Sequence, residues 1–397
     1  MRSVRGPLYR RREFVGAGVG AVAALGLGAA FWRGAFDDEA QGPRVRVDPY
    51  GPRAAADANG IRLPNGFKAR RVARGGEVVQ GSDYQWHLAS DGAATFPTDD
   101  GGWILVSNSE LTPNGGAGAI RFAPDGQIRD AYRILEGTSQ NCAGGPTPWG
   151  TWLSCEEIEE GRVWECDPSG ENEARANDAM GVFKHEAAAV DPKGRRVYLT
   201  EDLADGAFYR FTPERWPELD AGLLEMAKVA EGGAVTWVPV PDPLASRKPT
   251  RRQVPGVTKF KRGEGLWFDS GTVYVATTFD SRIHAYDTKQ ERVEVIYDGL
   301  ASKEAPLVQV DNVTASRAGE LFVCEDIASR EINLGVMTRD RKMGKFLTVG
   351  GPNHVGSELT GPAFDPSGSR LYFSSQRARG MKGEIYEVTG PFLGRQA

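Results

Sequence analysis

Cysteine and histidine are scarce in this 397-residue chain, four of each. So few cysteines cannot make a disulfide scaffold and allow one or two bridges at most. The histidines show no metal-ligand spacing, so core or surface roles lead for His185 and His354. An excess of positive charge is missing too: 48 Lys and Arg face 53 Asp and Glu, a formal net charge of −5. That balance argues against a nucleic-acid partner, which would need a basic surface. Helical periodicity is nearly absent after the first 60 residues; only RWPELDAGLLEMAKVAEGG, residues 215–233, reads as a helix.

A long apolar run is also lacking. The N-terminal stretch YRRREFVGAGVGAVAALGLGAAF has a basic start and then Gly and Ala, too short and too weakly apolar for a membrane span. Arg11-Arg12-Glu13-Phe14 resembles the twin-arginine export motif. Residues 1–35 are therefore expected to be a twin-arginine signal or anchor, handled by the twin-arginine translocation machinery. The product would be periplasmic, extracellular or anchored on the outer side of the membrane. That route carries folded proteins, often with a cofactor already inserted, which favours a metal. Residues 36–80 read as a linker and lead-in strand.

What the chain does have is turns, with 50 glycines and 24 prolines, in a composition that is 40% hydrophobic and 25% charged. Short aromatic and β-branched runs between turn residues indicate an all-β protein. VSNSE at 106, WLSCEE at 152, YLTED at 198, YVATT at 274, FVCED at 322 and YFSSQ at 372 line up as a repeat. Four of the five spacings fall between 46 and 50 residues, and the fifth is 76. A period of about 40–50 residues in a β-rich chain marks a propeller with one four-stranded blade per repeat. The expectation is a six-bladed β-propeller over 81–397, with a small helix-containing insertion at about 203–260. Turns such as DPKGRRVY, DSGTVY and DPSGSRLY fit tight hairpins before the aromatic strands.

Ten to fourteen positions before these aromatics stand Cys142, Glu186, Glu264, Asp311 and Glu358. The first strand of each propeller blade lines the central channel, so equivalent positions form a ring. A second set ends the aromatic strands: Glu110, Glu156-Glu157, Glu201-Asp202 and Glu325-Asp326. Acids converging on one channel repel unless cations neutralise them. Oxygen donors suit calcium, and a thiolate adds affinity for a transition metal. Alone, each acid reads as a solvated turn residue, and Cys142 or Cys324 as a small buried hydrophobe. Cys155 and Cys166 flank a hairpin and stay open between a disulfide and two free thiols.

The stretch CAGGPTPWGTWLSCEE, followed in order by KHEAAAVDP, YLTED, RGEGLWFD and ELTGPAFDPSGSRLYFSSQR, resembles the PhoX family of bacterial alkaline phosphatases. The resemblance runs from about residue 80 to the C-terminus and includes the twin-arginine start. It implies a six-bladed propeller bearing Fe(III) and Ca2+ ions, which hydrolyses small phosphomonoesters outside the cytoplasm. It further implies iron ligation by Cys142, Glu186 and Glu264, and phosphate binding by Arg262. Glu156, Glu201, Asp311 and Glu325 then become candidates for the calcium side, with Glu110 and Glu157 beside them. A monomer is expected.

Two features depart from the family pattern. The chain is short for a member, and the fourth and sixth repeats end in YVATT and YFSSQ, without acids. Two other readings stand beside the phosphatase. A calcium-dependent lactonase-type hydrolase would need one metal and no thiolate, so Cys142 speaks against it. A non-catalytic exported propeller would use its acids for calcium-dependent stability and ligand binding.

Overall fold

The computed structural model describes residues 48–327 and 329–394; the twin-arginine segment lies outside the described residues. The strands form six antiparallel sheets. Blade one contains β3 (Ser90–Pro97), β4 (Trp103–Ser109), β5 (Gly116–Phe122) and β6 (Ile128–Leu135). Blade two contains β7 (Asn141–Pro146), β8 (Trp152–Glu156), β9 (Val163–Cys166) and β10 (Arg175–Ala176). Blade three has five strands: β11 (His185–Asp191), β12 (Arg196–Glu201), β13 (Phe208–Pro213), β14 (Gly222–Val229) and β15 (Val235–Pro239). Blade four runs through β16 (Gly263–Asp269), β17 (Thr272–Thr277), β18 (Arg282–Asp287) and β19 (Arg292–Asp298).

The last two blades borrow from the start of the described chain. Blade five holds β20 (Val310–Ala315), β21 (Leu321–Glu325), β22 (Glu331–Met337) and β23 (Met343–Gly350), with β1 (Ile61–Arg62) added outside β23. Blade six holds β24 (Leu359–Phe364), β25 (Arg370–Ser375) and β26 (Glu384–Thr389), and β2 (Lys68–Arg74) is its outer strand. Sealing the last blades with early strands locks the ring and covers open sheet edges. Among the described residues, no helix is long and apolar enough to cross a membrane.

Six apolar clusters lie between neighbouring blades and close the circle. Phe96 and Trp152 share the seam between blades one and two, and Leu153 and Tyr209 the next. Tyr198 and Tyr286 meet between blades three and four, and Ile283 and Leu321 between four and five. Phe322 and Phe373 join five to six, and Tyr372 and Trp103 join six to one. Each blade therefore buries both faces, which explains strands that are apolar almost throughout.

This packing decides two expectations. The segment read as a helix contains β14 instead, and the helical turns of the insertion are the short 3-10 turns Glu231–Gly233 and Thr250–Arg252. Glu225 turns to Arg210 at 2.7 Å, while Leu224 and Met226 enter the seam with blade two. Buried faces on both sides mimic a helical pattern in sequence, and pairing with β13 and β15 overrides it. All four cysteines are free. Cys155 faces the seam with blade three and Cys166 the seam with blade one. Opposite faces of one sheet cannot be bridged by a disulfide.

Candidate metal centre

Each inner strand begins with the same irregularity. The pairing register slips after Ser90 in β3, Asn141 in β7, His185 in β11, Gly263 in β16 and Val310 in β20. The residue just past the slip is Asp91, Cys142, Glu186, Glu264 or Asp311, and all five are buried. A β-bulge releases a residue from the ladder and re-aims its side chain, here toward the axis. In blade six the slip comes one residue later, after Thr360, and no acid follows it.

The position after the slip is small where the strands converge. A Cβ on Gly92 would stand 2.5 Å from Ala143 Cα, and one on Gly265 2.6 Å from Asn312 Cα. Nothing larger fits without moving the backbone of the next blade.

The second strands contribute through their C-terminal ends. Ser109, Glu156, Glu201 and Glu325 make the last pair with the inner strand. The residues that follow them, Glu110, Glu157, Asp202 and Asp326, reach the channel. In blades four and six the equivalent residues are Thr278 and Gln376. Thr278 donates to Val310 O at 2.8 Å, and Gln376 Nε2 donates to Glu110 at 2.6 Å and also to Asp91.

Alternation along a strand sends the preceding acid the other way. Glu156 accepts from Trp164 Nε1 at 2.9 Å, Ser139 N at 3.1 Å and Arg162 N at 3.2 Å. Glu201 accepts from Tyr209 Oη at 2.7 Å and Arg251 Nη1 at 3.1 Å. Burial pushes Glu201 up to about 7, against the pull of Tyr209 and Arg251. Glu325 accepts from Asn333 Nδ2 at 2.6 Å and Val308 N at 3.0 Å; burial raises it, and these bonds oppose the rise. Glu156, Glu201 and Glu325, expected on the calcium side, are thus turned away from the channel and serve the blades.

Nine carboxylates and one thiol remain on the channel side: Asp91, Glu110, Glu157, Glu186, Asp202, Glu264, Asp311, Asp326, Glu358 and Cys142. Four overlapping triads can each place three donor atoms within 4.8 Å of one another. They are Asp91–Glu110–Cys142, Cys142–Glu157–Glu186, Glu186–Glu264–Asp311 and Asp311–Asp326–Glu358. Burial chiefly, then Asp91, Glu186, Glu157 and Glu110, pushes the Cys142 thiol well up. Its Sγ lies 3.3 Å from Asp91 Oδ2.

Three cations cover these acids. Lys184 Nζ lies 2.9 Å from Glu157, and Arg377 Nη1 lies 2.7 Å from Glu358. Arg262 donates to Asp202 at 2.7 Å and 3.2 Å and reaches Glu264 at 2.9 Å. Lys184, Arg262 and Arg377 are 23%, 24% and 21% exposed, while Glu186 and Glu264 are at most 1% exposed. The layering is cationic at the surface and anionic beneath it. Three cations against nine carboxylates leave a large buried negative charge, which multivalent cations would neutralise. Hard carboxylates with one soft thiolate, several triads deep, suit a mixed cluster better than a single ion.

Sequence reasoning missed Asp91 altogether. It noted Glu358, Asp202 and Asp326 as repeat positions without choosing them as ligands. Asp91 sits in ASDGAATF, matched in pattern by RGEGLWFD, so extending the repeat to the first blade would have found it. His185 Nε2 meets Gly181 O at 2.9 Å, and His354 meets Ser375 Oγ and Asn59 O, each at 2.9 Å. His354 is bonded at both ring nitrogens, His185 is a buried core residue bonded only through Nε2, and Cys324 is buried between blades five and six.

No curated protein matches the chain. Among solved structures, a gluconolactonase from Xanthomonas campestris is similar at 15% identity and a TM-score of 0.47, covering 87% of this chain and 100% of its own. A protein of unknown function from Bacteroides thetaiotaomicron is 10% identical, with a TM-score of 0.49 and 84% coverage of both chains. Virginiamycin B lyase from Staphylococcus aureus is 12% identical, with a TM-score of 0.44, covering 81% of this chain and 99% of its own. Likenesses this distant carry no functional argument. The sequence model described as alkaline phosphatase PhoX matches residues 113–163 and 160–299, a span that includes Cys142, Glu157, Glu186, Asp202, Arg262 and Glu264. Over residues 113–299 the chain thus matches the PhoX family.

Proposed function

We propose that the chain is an exported, metal-dependent phosphomonoesterase acting on small phosphate monoesters at the acidic end of its channel. The observation that carries this reading is the layering of Arg262 over the buried Glu186–Glu264–Asp311 triad. Cys142, Glu186 and Glu264 would hold Fe(III), and Asp311, Asp326, Glu358, Asp91, Glu110 and Glu157 are the donors for Ca2+ and any further ion. When bound, these ions would act as Lewis acids toward the phosphoryl oxygens.

The chain's own residues supply positioning and charge. Arg262 would offer a phosphoryl oxygen a permanently charged guanidinium, its Nε and Nη2 being held by Asp202. Asp202 grips the same guanidinium at 2.7 Å and 3.2 Å and fixes its plane. The φ of Arg262 is +50°, but Ala89, Gln140 and Gln309 share that value at equivalent positions. The turn is architectural, and it delivers Arg262 to the mouth of the channel. Lys184 and Arg377 add positive charge there, drawing a dianion to a surface whose floor is acidic. The Cys142 proton must leave before sulfur can bind a metal, and its acceptor in this arrangement is Asp91.

The test is hydrolysis of p-nitrophenyl phosphate by protein purified from its own host, with and without EDTA. Turnover that chelation abolishes is the expected result. Metal-loaded protein that hydrolyses no phosphomonoester would sink the reading.

A further inference from the structure

A second polar depression lies far from the axis, on the outer part of blade five. It encloses about 250 Å³ and is lined by Arg53, Arg62, Lys303, Lys345, Asn333 and Thr348, with Glu304 and Glu331 also on its wall. Four cations line it against two carboxylates, and Arg53 is also partnered by Asp48 at 3.6 Å, so the two lysines carry its positive charge. Glu331 is engaged by Arg62 at 2.9 Å. Lys303 and Lys345 form no ion pair among the described residues, and Lys345 acts only at longer range, on the buried Glu325.

The fold builds this cleft from distant segments. Strand β1 is added to blade five by the pairs Ile61↔Val349 and Arg62↔Thr348, which bring Arg62 to the wall. Arg53 Nη1 donates to Lys345 O at 2.6 Å, tying the lead-in segment to β23. The loop between β19 and β20 brings Lys303. Lys345 owes its direction to a bulge: Leu334 pairs with Leu347 but Gly335 with Lys345, so Phe346 is the extra residue. Phe346 and Leu347 both enter the apolar seam, and Lys345 is left half-buried at the cleft. The floor is polar, buried and fixed. Asn333 Oδ1 accepts from Thr348 Oγ1 at 2.8 Å, and Asn333 Nδ2 donates to Glu325 at 2.6 Å.

We infer that this cleft binds a small multivalent oxyanion, such as free phosphate or a compact polycarboxylate, independently of the channel site. The volume suits a ligand of a few heavy atoms, below the range of about 300–1,000 Å³ typical for larger ones. Converging guanidinium and ammonium groups over a polar floor select charge and oxygen acceptors rather than apolar shape. The open lysine side makes binding weak and salt-dependent.

Lysine acetylation footprinting of the full chain tests this without using turnover, so its failure is separate from failure of the phosphatase reading. The probes are inorganic phosphate and citrate, with exposed Lys289 as the internal reference. At about three times Kd, a site is about 75% occupied, so labelling of Lys303 and Lys345 should slow about fourfold while Lys289 is unchanged. Protection by phosphate alone or citrate alone supports the site and tells which oxyanion it takes. In Lys345→Glu, protection of Lys303 should disappear. Unchanged labelling with both anions, equal slowing at Lys289, or protection of Lys303 that survives Lys345→Glu would overturn the inference.

Discussion

The two ends of the propeller channel are made by the same six inner strands, yet they share almost no chemistry. One end carries Asp91, Cys142, Glu186, Glu264 and Asp311, all buried and turned to the axis. One residue on, the same strands offer Gly92, Ala143, Ala187 and Gly265, which with Gly361 and Pro362 line a depression of about 30 Å³. That is room for about one water. The bulge separates the two regimes. Its first residue supplies a candidate ligand, and its second allows the close approach of the neighbouring strand. The strands approach closely on that side, while Lys184, Arg262 and Arg377 reach solvent on the acidic side.

The largest effect expected from this contrast lies at the acidic end. Arg262→Ala should lower phosphomonoester turnover about 10²–10³-fold, the scale of losing one well-aimed charge-stabilising donor, while bound metal stays nearly constant. Turnover and elemental content measured together check it, and unchanged turnover would remove Arg262 from the phosphate site. On the close-packed side, Gly265→Ala forces a Cβ to within 2.6 Å of Asn312 Cα. Urea unfolding should show a loss of about 2–4 kcal/mol, since the obstacle is backbone and cannot rotate away.

Buried histidines elsewhere in the fold answer to pH. Burial holds His87 down to about 3 and His284 to about 4, against 6.5 for the free side chain. A folded value below the unfolded one means the unfolded chain binds the proton first. Stability from these residues is therefore full above about pH 6.5 and is lost as pH falls toward 4, by up to about 2 kcal/mol each at pH 5. Denaturation midpoints at pH 7 and 5, for wild type and His284→Asn, measure it; a variant with an undiminished acid loss would contradict it. The smallest effect tests the alternation itself. Glu156→Gln should cost about 1 kcal/mol through its bonds to Trp164, Ser139 and Arg162, with metal content unchanged. Glu157→Gln, one residue on, should lower metal content instead.

The repeat was legible because each blade reuses one hairpin and one register, so six aromatic strands surfaced at near-constant spacing. The inner-strand candidates Cys142, Glu186, Glu264 and Asp311 could be read for the same reason. The choice within Glu156-Glu157, Glu201-Asp202 and Glu325-Asp326 could not. Which of two adjacent acids faces the axis depends on where the ladder ends, and Asn141↔Glu156 or Val310↔Glu325 fixes that only in three dimensions. The false helix over β14 has a related cause. A strand buried on both faces loses its alternation, and Leu224, Met226 and Ala227 then fit a helical stripe equally well. A lead-in strand was expected within 36–80, but the partners of β1 and β2 could not be read because they lie nearly 300 residues away or more.

Elemental analysis of protein purified from its own host, wild type beside Cys142→Ser, tests the central claim most directly. The ring of oxygens with one sulfur predicts iron and calcium together in the wild type, with iron lost and calcium kept in the variant. Wild-type protein without iron, or a variant with its iron intact, would contradict a mixed cluster anchored by Cys142.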